Sequence, residues 1–95
     1  MLSIAVCDDE IMECCNIAGK IKEILKEMKM PCIIRQFCSG QELICSSDSF
    51  DIIFLDIIMR DLDGMRTAQM FRERAFDKLL IFMSSSREYV FEAYD

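Results

Sequence analysis

Three acids in succession, Asp8, Asp9 and Glu10, follow the apolar run Ile4, Ala5, Val6, Cys7 with no glycine or proline between them. A fourth acid, Asp56, closes a second apolar run, Ile52 to Leu55, and Ser84 directly follows a third, "LLIFM" at residues 79–83. These are hard oxygen donors placed where apolar segments end. If Asp8, Asp9 and Asp56 converge, two of their charges about 5 Å apart repel by roughly 3 kcal/mol at an effective dielectric near 20, and a cation relieves that repulsion. An all-oxygen donor set without imidazole or thiolate favours Mg²⁺, which keeps several waters and commonly bridges to phosphate. Plainer readings stand beside this one. Acids after a strand complement the positive end of the helix that follows, and a lone Ser84 serves as a loop hydroxyl or a helix-start residue. Asp56 has no comparable capping role, because it ends a run that is apolar on both faces.

The elements that must position these groups are legible in the spacing. Between Ile11 and Met28, Ile11, Cys14, Cys15, Ala18, Ile21, Leu25 and Met28 recur at intervals of three and four with Lys and Glu between them, which predicts an amphipathic helix ended by Pro31. "CIIRQF", Cys32 to Phe37, reads as a compact strand, and Ser39 three residues before Glu42 forms a capping box that opens a short helix. Ile52 to Leu55 reads as a central strand covered by helices on each side. A third helix is expected from about Met65 to Arg74 with Met65, Ala68 and Phe71 inward. "LLIFM" repeats the doubly buried strand pattern, and Ser85 with Glu88 at capping-box spacing starts a last helix.

Strands and helices therefore alternate, β-α-β-α-β-α-β-α. This predicts an α/β fold of the flavodoxin-like class, a doubly wound parallel sheet with strand order 2-1-3-4. In such sheets ligands bind beyond the carboxyl ends of the strands at the switch point. The first and third strands are neighbours there, so Asp8, Asp9 and Asp56 are expected to share one crevice.

Composition bounds the remaining possibilities. The chain has 95 residues, which predicts one domain over 1–95, and 53% hydrophobic residues are enough for a core. Eleven Lys and Arg against seventeen Asp and Glu give a net charge of -6, against any broad nucleic-acid footprint. The apolar runs are strand-sized and nothing resembles a signal peptide, so a cytoplasmic protein without a membrane segment is expected. The chain has no histidine, which removes Ser-His-Asp and Cys-His catalytic centres. Six cysteines fall largely within apolar patterns without a CxxC pair, and read as reduced, buried packing residues rather than disulfide or zinc ligands.

"VCDDE" at 6–10, "FLDIIMRDLDG" at 54–64 and "LLIFMSS" at 79–85 together resemble the response-regulator receiver domains of two-component signalling, across the whole chain. "REYVFEAYD" at 87–95 is similar to receivers linked to LytTR-type DNA-binding domains. The resemblance implies that Asp56 is the phosphoacceptor, taking a phosphoryl group from a sensor histidine kinase with Mg²⁺ as cofactor. It implies that Asp9 binds the metal directly, Asp8 largely through water, and that the backbone carbonyl of Ile58 completes the protein ligands. Ser84 would hydrogen-bond the phosphoryl oxygen and act as the switch, and Gly64 would serve the tight loop after Asp56. The readout would be a conformational change passed to an output domain regulating transcription, with the protein acting as a signalling module rather than an enzyme.

The chain departs from the family pattern in two places. Arg60 stands where the family often has proline. The family's fifth strand, with its phosphate-pairing lysine, and fifth helix are not in the 95 residues, so a receiver shortened at its carboxyl end is expected, its fourth-strand edge open for pairing with a second copy. Two rival functions follow from the same residues. A haloacid-dehalogenase-like phosphatase also uses a strand-end aspartate with Mg²⁺, but has a second carboxylate where Ile58 stands. A degenerate receiver would act only as a protein-binding module, against which the four oxygen-bearing residues speak.

Overall fold

The computed structural model describes residues 1–46, 48–57, 59, 64–74 and 78–83. They form β1 (Leu2–Cys7), α1 (Ile11–Glu27), β2 (Cys32–Phe37), α2 (Gly40–Cys45), β3 (Ile52–Asp56), α3 (Gly64–Glu73) and β4 (Leu79–Met83). The four strands make one sheet in the order β2-β1-β3-β4, every neighbouring pair parallel. The expected topology is therefore the observed one. The expected last helix, with Ser85 and Glu88, lies outside the described residues.

The sheet's two faces are buried by different helices because successive strand side chains point to opposite sides. Ala5, Cys7, Ile53 and Leu55 face α2 and α3 and join Leu43, Ile44, Ala68 and Phe71 in one cluster. Phe37 and Phe50 extend it with an edge-to-face ring contact, centroids 5.7 Å apart. Ile4 and Val6 face the other way, against Cys14 and Ala18 of α1. Ile53 and Leu55 are completely buried while Ile52 and Phe54, on the α1 side of the same strand, are only partly so.

Local chemistry sets the helix ends. Ser39 caps α2, its hydroxyl accepting the Glu42 N–H at 3.1 Å, as the capping box requires. α1 stops before Pro31 acts on it. Met30 N–H reaches back to the Leu25 carbonyl and Lys29 N–H to that of Lys26, with Lys29 left-handed at φ 58°, a Schellman turn made without glycine.

Some side chains depart from the expected pattern. Met65 and Ile11 are 44% and 65% exposed, since each lies in the first turn of its helix at the rim of the sheet, where the periodic face extends past the packed core of the described residues. β4 is the outer strand of the described sheet and is partly buried along its length, with Leu79 56% exposed, rather than covered on both faces. Only Cys7 and Cys14 of the six cysteines are buried; Cys15, Cys38 and Cys45 are exposed and Cys32 is intermediate, all as free thiols. Among the described residues no helix is long and apolar enough to cross a membrane.

Candidate phosphoacceptor and metal site

The register of the sheet brings the acids together. Cys7 of β1 pairs with Leu55 of β3, so one residue further along each strand Asp8 and Asp56 stand side by side at the carboxyl end of the sheet. One carboxylate oxygen from each of Asp8, Asp9 and Asp56 lies within 4.8 Å of the others. Asp8 and Asp56 are each only 7% exposed, and Asp9 is half-buried. A trio of carboxylates this close and this poorly hydrated repels itself, which is the arrangement expected of a hard divalent-cation site.

Hydrogen bonds fix the two walls of the site, at Asp8 and at Asp56. Asp8 N–H donates to the Phe37 carbonyl of β2 at 3.1 Å, and Asp8 Oδ1 accepts the Glu10 N–H at 2.9 Å. That second bond is a local turn ahead of α1, made with one oxygen of one residue, and it is compatible with a metal role. Glu10 itself is the N-cap of α1 and offers no side-chain cap bond. At the other wall, Asp56 pairs with Met83 of β4, and Ile57 N–H continues the ladder to the Met83 carbonyl at 3.0 Å.

Gly64 has a larger part than a turn glycine. Its N–H donates to the Ile57 carbonyl at 2.7 Å, returning the loop after β3 onto the strand end. A Cβ there would overlap the Asp56 carbonyl oxygen and stand 2.5 Å from the Ile57 Cα. The need is for space rather than for an unusual φ, a constraint that spacing from Asp56 hints at but cannot prove. Beneath the acids, Met59 is buried, with its sulfur 3.6 Å from the Cys7 thiol, which also reaches the Ser39 carbonyl at 3.3 Å. Nothing in the apolar pattern had singled out Met59. Ser84, Ile58 and Arg60 lie outside the described residues.

No protein-family model matches the chain. Solved structures do. The response regulator TrrA of Thermotoga maritima, in complex with Mg²⁺ and BeF, is 29% identical, with a TM-score of 0.75 over 97% of this chain and 76% of that one. TrrA bound to the histidine kinase ThkA overlaps at 28% identity and a TM-score of 0.67, covering 95% of this chain and 74% of that one. DrrB of the same organism, an OmpR/PhoB homologue, gives 27% identity and a TM-score of 0.70 over 99% of this chain and 42% of DrrB. Sheet order, and an overlap that runs through nearly every residue of the chain, give it the fold of the response-regulator receiver domains, to which it is similar.

Proposed function

We propose that residues 1–95 act as a phosphoacceptor module in a two-component system, with Asp56 receiving a phosphoryl group from a sensor histidine kinase. The observation that carries this reading is the convergence of Asp8, Asp9 and Asp56 within 4.8 Å. A carboxylate oxygen of Asp56 attacks phosphorus, the bond to the kinase imidazole nitrogen breaks, and an aspartyl phosphate results. Asp9 would hold Mg²⁺ directly and Asp8 largely through water, Asp56 would share the site, and the Ile58 carbonyl would complete the protein ligands. Bound Mg²⁺ supplies charge neutralisation for the carboxylates and the incoming phosphoryl group. The donor set fits that ion, being oxygen throughout, and TrrA was seen with Mg²⁺ and BeF. ThkA bound to TrrA supports a histidine kinase as partner.

The Ser84 hydroxyl then donates a hydrogen bond to the new phosphoryl oxygen and carries the change towards an output domain. The chain is a stoichiometric acceptor rather than a turnover enzyme, and cytoplasmic. β4, with its exposed Leu79, is the edge at which a second copy pairs. The test is intact-mass measurement after treatment with a small phosphodonor and Mg²⁺. One phosphate is gained by the native chain and none by Asp56→Asn; labelling that survives this substitution refutes the assignment.

A further inference from the structure

The groove between α1 and β2, at the side of the sheet away from β4, is left unused by the phosphoacceptor reading. Two hollows of about 400 and about 270 Å³ run into each other there, sharing Lys22 and Cys32. Lys22 and Lys26, one turn apart on α1, and Lys29, in the turn after it, line one wall; Cys32, Ile34 and Gln36 of β2 line the other. Glu23 and Glu27 line neither hollow. A Cβ added at Gly19, on the same wall as the lysines, would meet nothing within 4 Å, so the groove has room for a side chain from outside. In a chain of net charge -6 this is a local concentration of positive charge, and among the described residues none of the three lysines is in an ion pair.

The β2 wall is also an open sheet edge. Leu2 N–H donates to the Pro31 carbonyl and Asp8 N–H to that of Phe37, which in a parallel ladder turns the backbone of the odd-numbered β2 residues towards β1. The N–H and C=O groups of Cys32, Ile34 and Gln36 therefore face outward, where no further strand lies among the described residues. We propose that this edge and the lysines beside it form a docking site for an extended acidic peptide, which adds to β2 as a further strand and sets carboxylates at alternate positions against Lys22 and Lys26. The spacings agree: four residues of helix rise about 6 Å and two residues of strand about 6.6 Å, so every second side chain of the peptide keeps step with one turn of α1. Main-chain hydrogen bonds to the edge supply affinity, and the lysines select acids at the positions on their side. Charge complementarity fixes the occupant, because a neutral or basic segment gains the edge alone.

The experiment titrates the native 95-residue chain into a fluorescein-labelled, amidated peptide of sequence Val-Glu-Val-Glu-Val-Glu and reads fluorescence anisotropy at low ionic strength. Binding is expected, and added salt weakens it. Lys22→Glu combined with Lys26→Glu, at two exposed positions that burden folding little, weakens it about tenfold. The peptide with Gln in place of Glu binds the native chain more weakly by a similar factor, a comparison that holds even if the double variant does not fold. Amide hydrogen exchange reads the edge itself: the N–H groups of Ile34 and Gln36 exchange more slowly when the acidic peptide is bound. Equal binding of the Gln peptide, undiminished affinity in a folded double variant, unchanged exchange at Ile34 and Gln36, or equally tight binding of a single-stranded oligodeoxythymidylate of the same charge overturns the proposal.

Discussion

Asp51 and Asp56 stand five residues apart, before and at the end of the same strand, and do opposite work. At the amino end of the sheet, Asp51 Oδ2 accepts the Ser3 N–H at 2.9 Å while its own N–H donates to the Ser3 carbonyl at 2.7 Å, and its carbonyl takes the Leu79 N–H at 3.2 Å. That carboxylate is spent on β1, while the residue's backbone joins β1, β3 and β4 where they begin. At the carboxyl end Asp56 is set against two further carboxylates. The difference lies in the surroundings rather than in the residue. Parallel strands leave a crevice at their carboxyl ends where crossovers part, so charge brought there serves a ligand. Charge at the other end meets unpaired strand N–H groups and satisfies them.

The contrast can be broken by substitution. Its largest expected effect is all-or-none: Asp51→Ala still gains one phosphate per folded molecule by mass spectrometry, whereas the Asp56 variant gains none. An Asp51→Ala chain that folds yet cannot be labelled would remove the division of labour. Next comes alkaline stability beside the pocket. The Cys14 thiol is raised from 9.0 to about 11 in the fold, so the unfolded chain loses this proton first. Stability from this group is full below pH 9 and falls as pH rises towards 11, by roughly 3 kcal/mol in all. Urea melts across that range should show this slope in the native chain and a shallower one in Cys14→Ala.

Gly64→Ala should cost about 2 kcal/mol, since backbone on the far side of the new Cβ must shift to admit it. Its loss of labelling should exceed what the unfolded fraction explains. Asp51→Ala should lower the urea-melt stability by about 1 to 2 kcal/mol, leaving the Ser3 N–H without its acceptor. Smallest is Asp8→Asn, which keeps an oxygen for the Glu10 N–H while removing one charge from the trio. In metal-free buffer it should gain about 1 kcal/mol. Added Mg²⁺ should then raise its melting temperature less than that of the native chain.

Much of this architecture could be read before any coordinates. The observed bounds of β2 are those of "CIIRQF", and Ser39 and Glu42 cap α2 as their spacing announces. These features are local, each resting on residues within one turn or one strand. The misreadings share a physical origin. A periodic pattern says which residues share a face, but not how far that face extends over its neighbour. Met65 and Ile11 keep the helical phase and still project at the rim. The cysteines look like small hydrophobes wherever they accompany apolar residues, yet Cys38 and Cys45 sit just past or at the end of elements, where the cover stops. Gly64 was visible as a glycine, whereas the backbone pressing on it was not.

The sequence by itself determined the alternation of strands and helices, the parallel order and the strand-end placement of the acids, because periodicity, capping and crossover rules act over short stretches of chain. Only the tertiary structure decided that Cys7 stands opposite Leu55, and hence that Asp8 and Asp56 are neighbours rather than two acids on one rim. Register is settled by the packing of both sheet faces at once, Ile53 and Leu55 against α2 and α3 and Ile4 and Val6 against α1, and no segment holds that information alone.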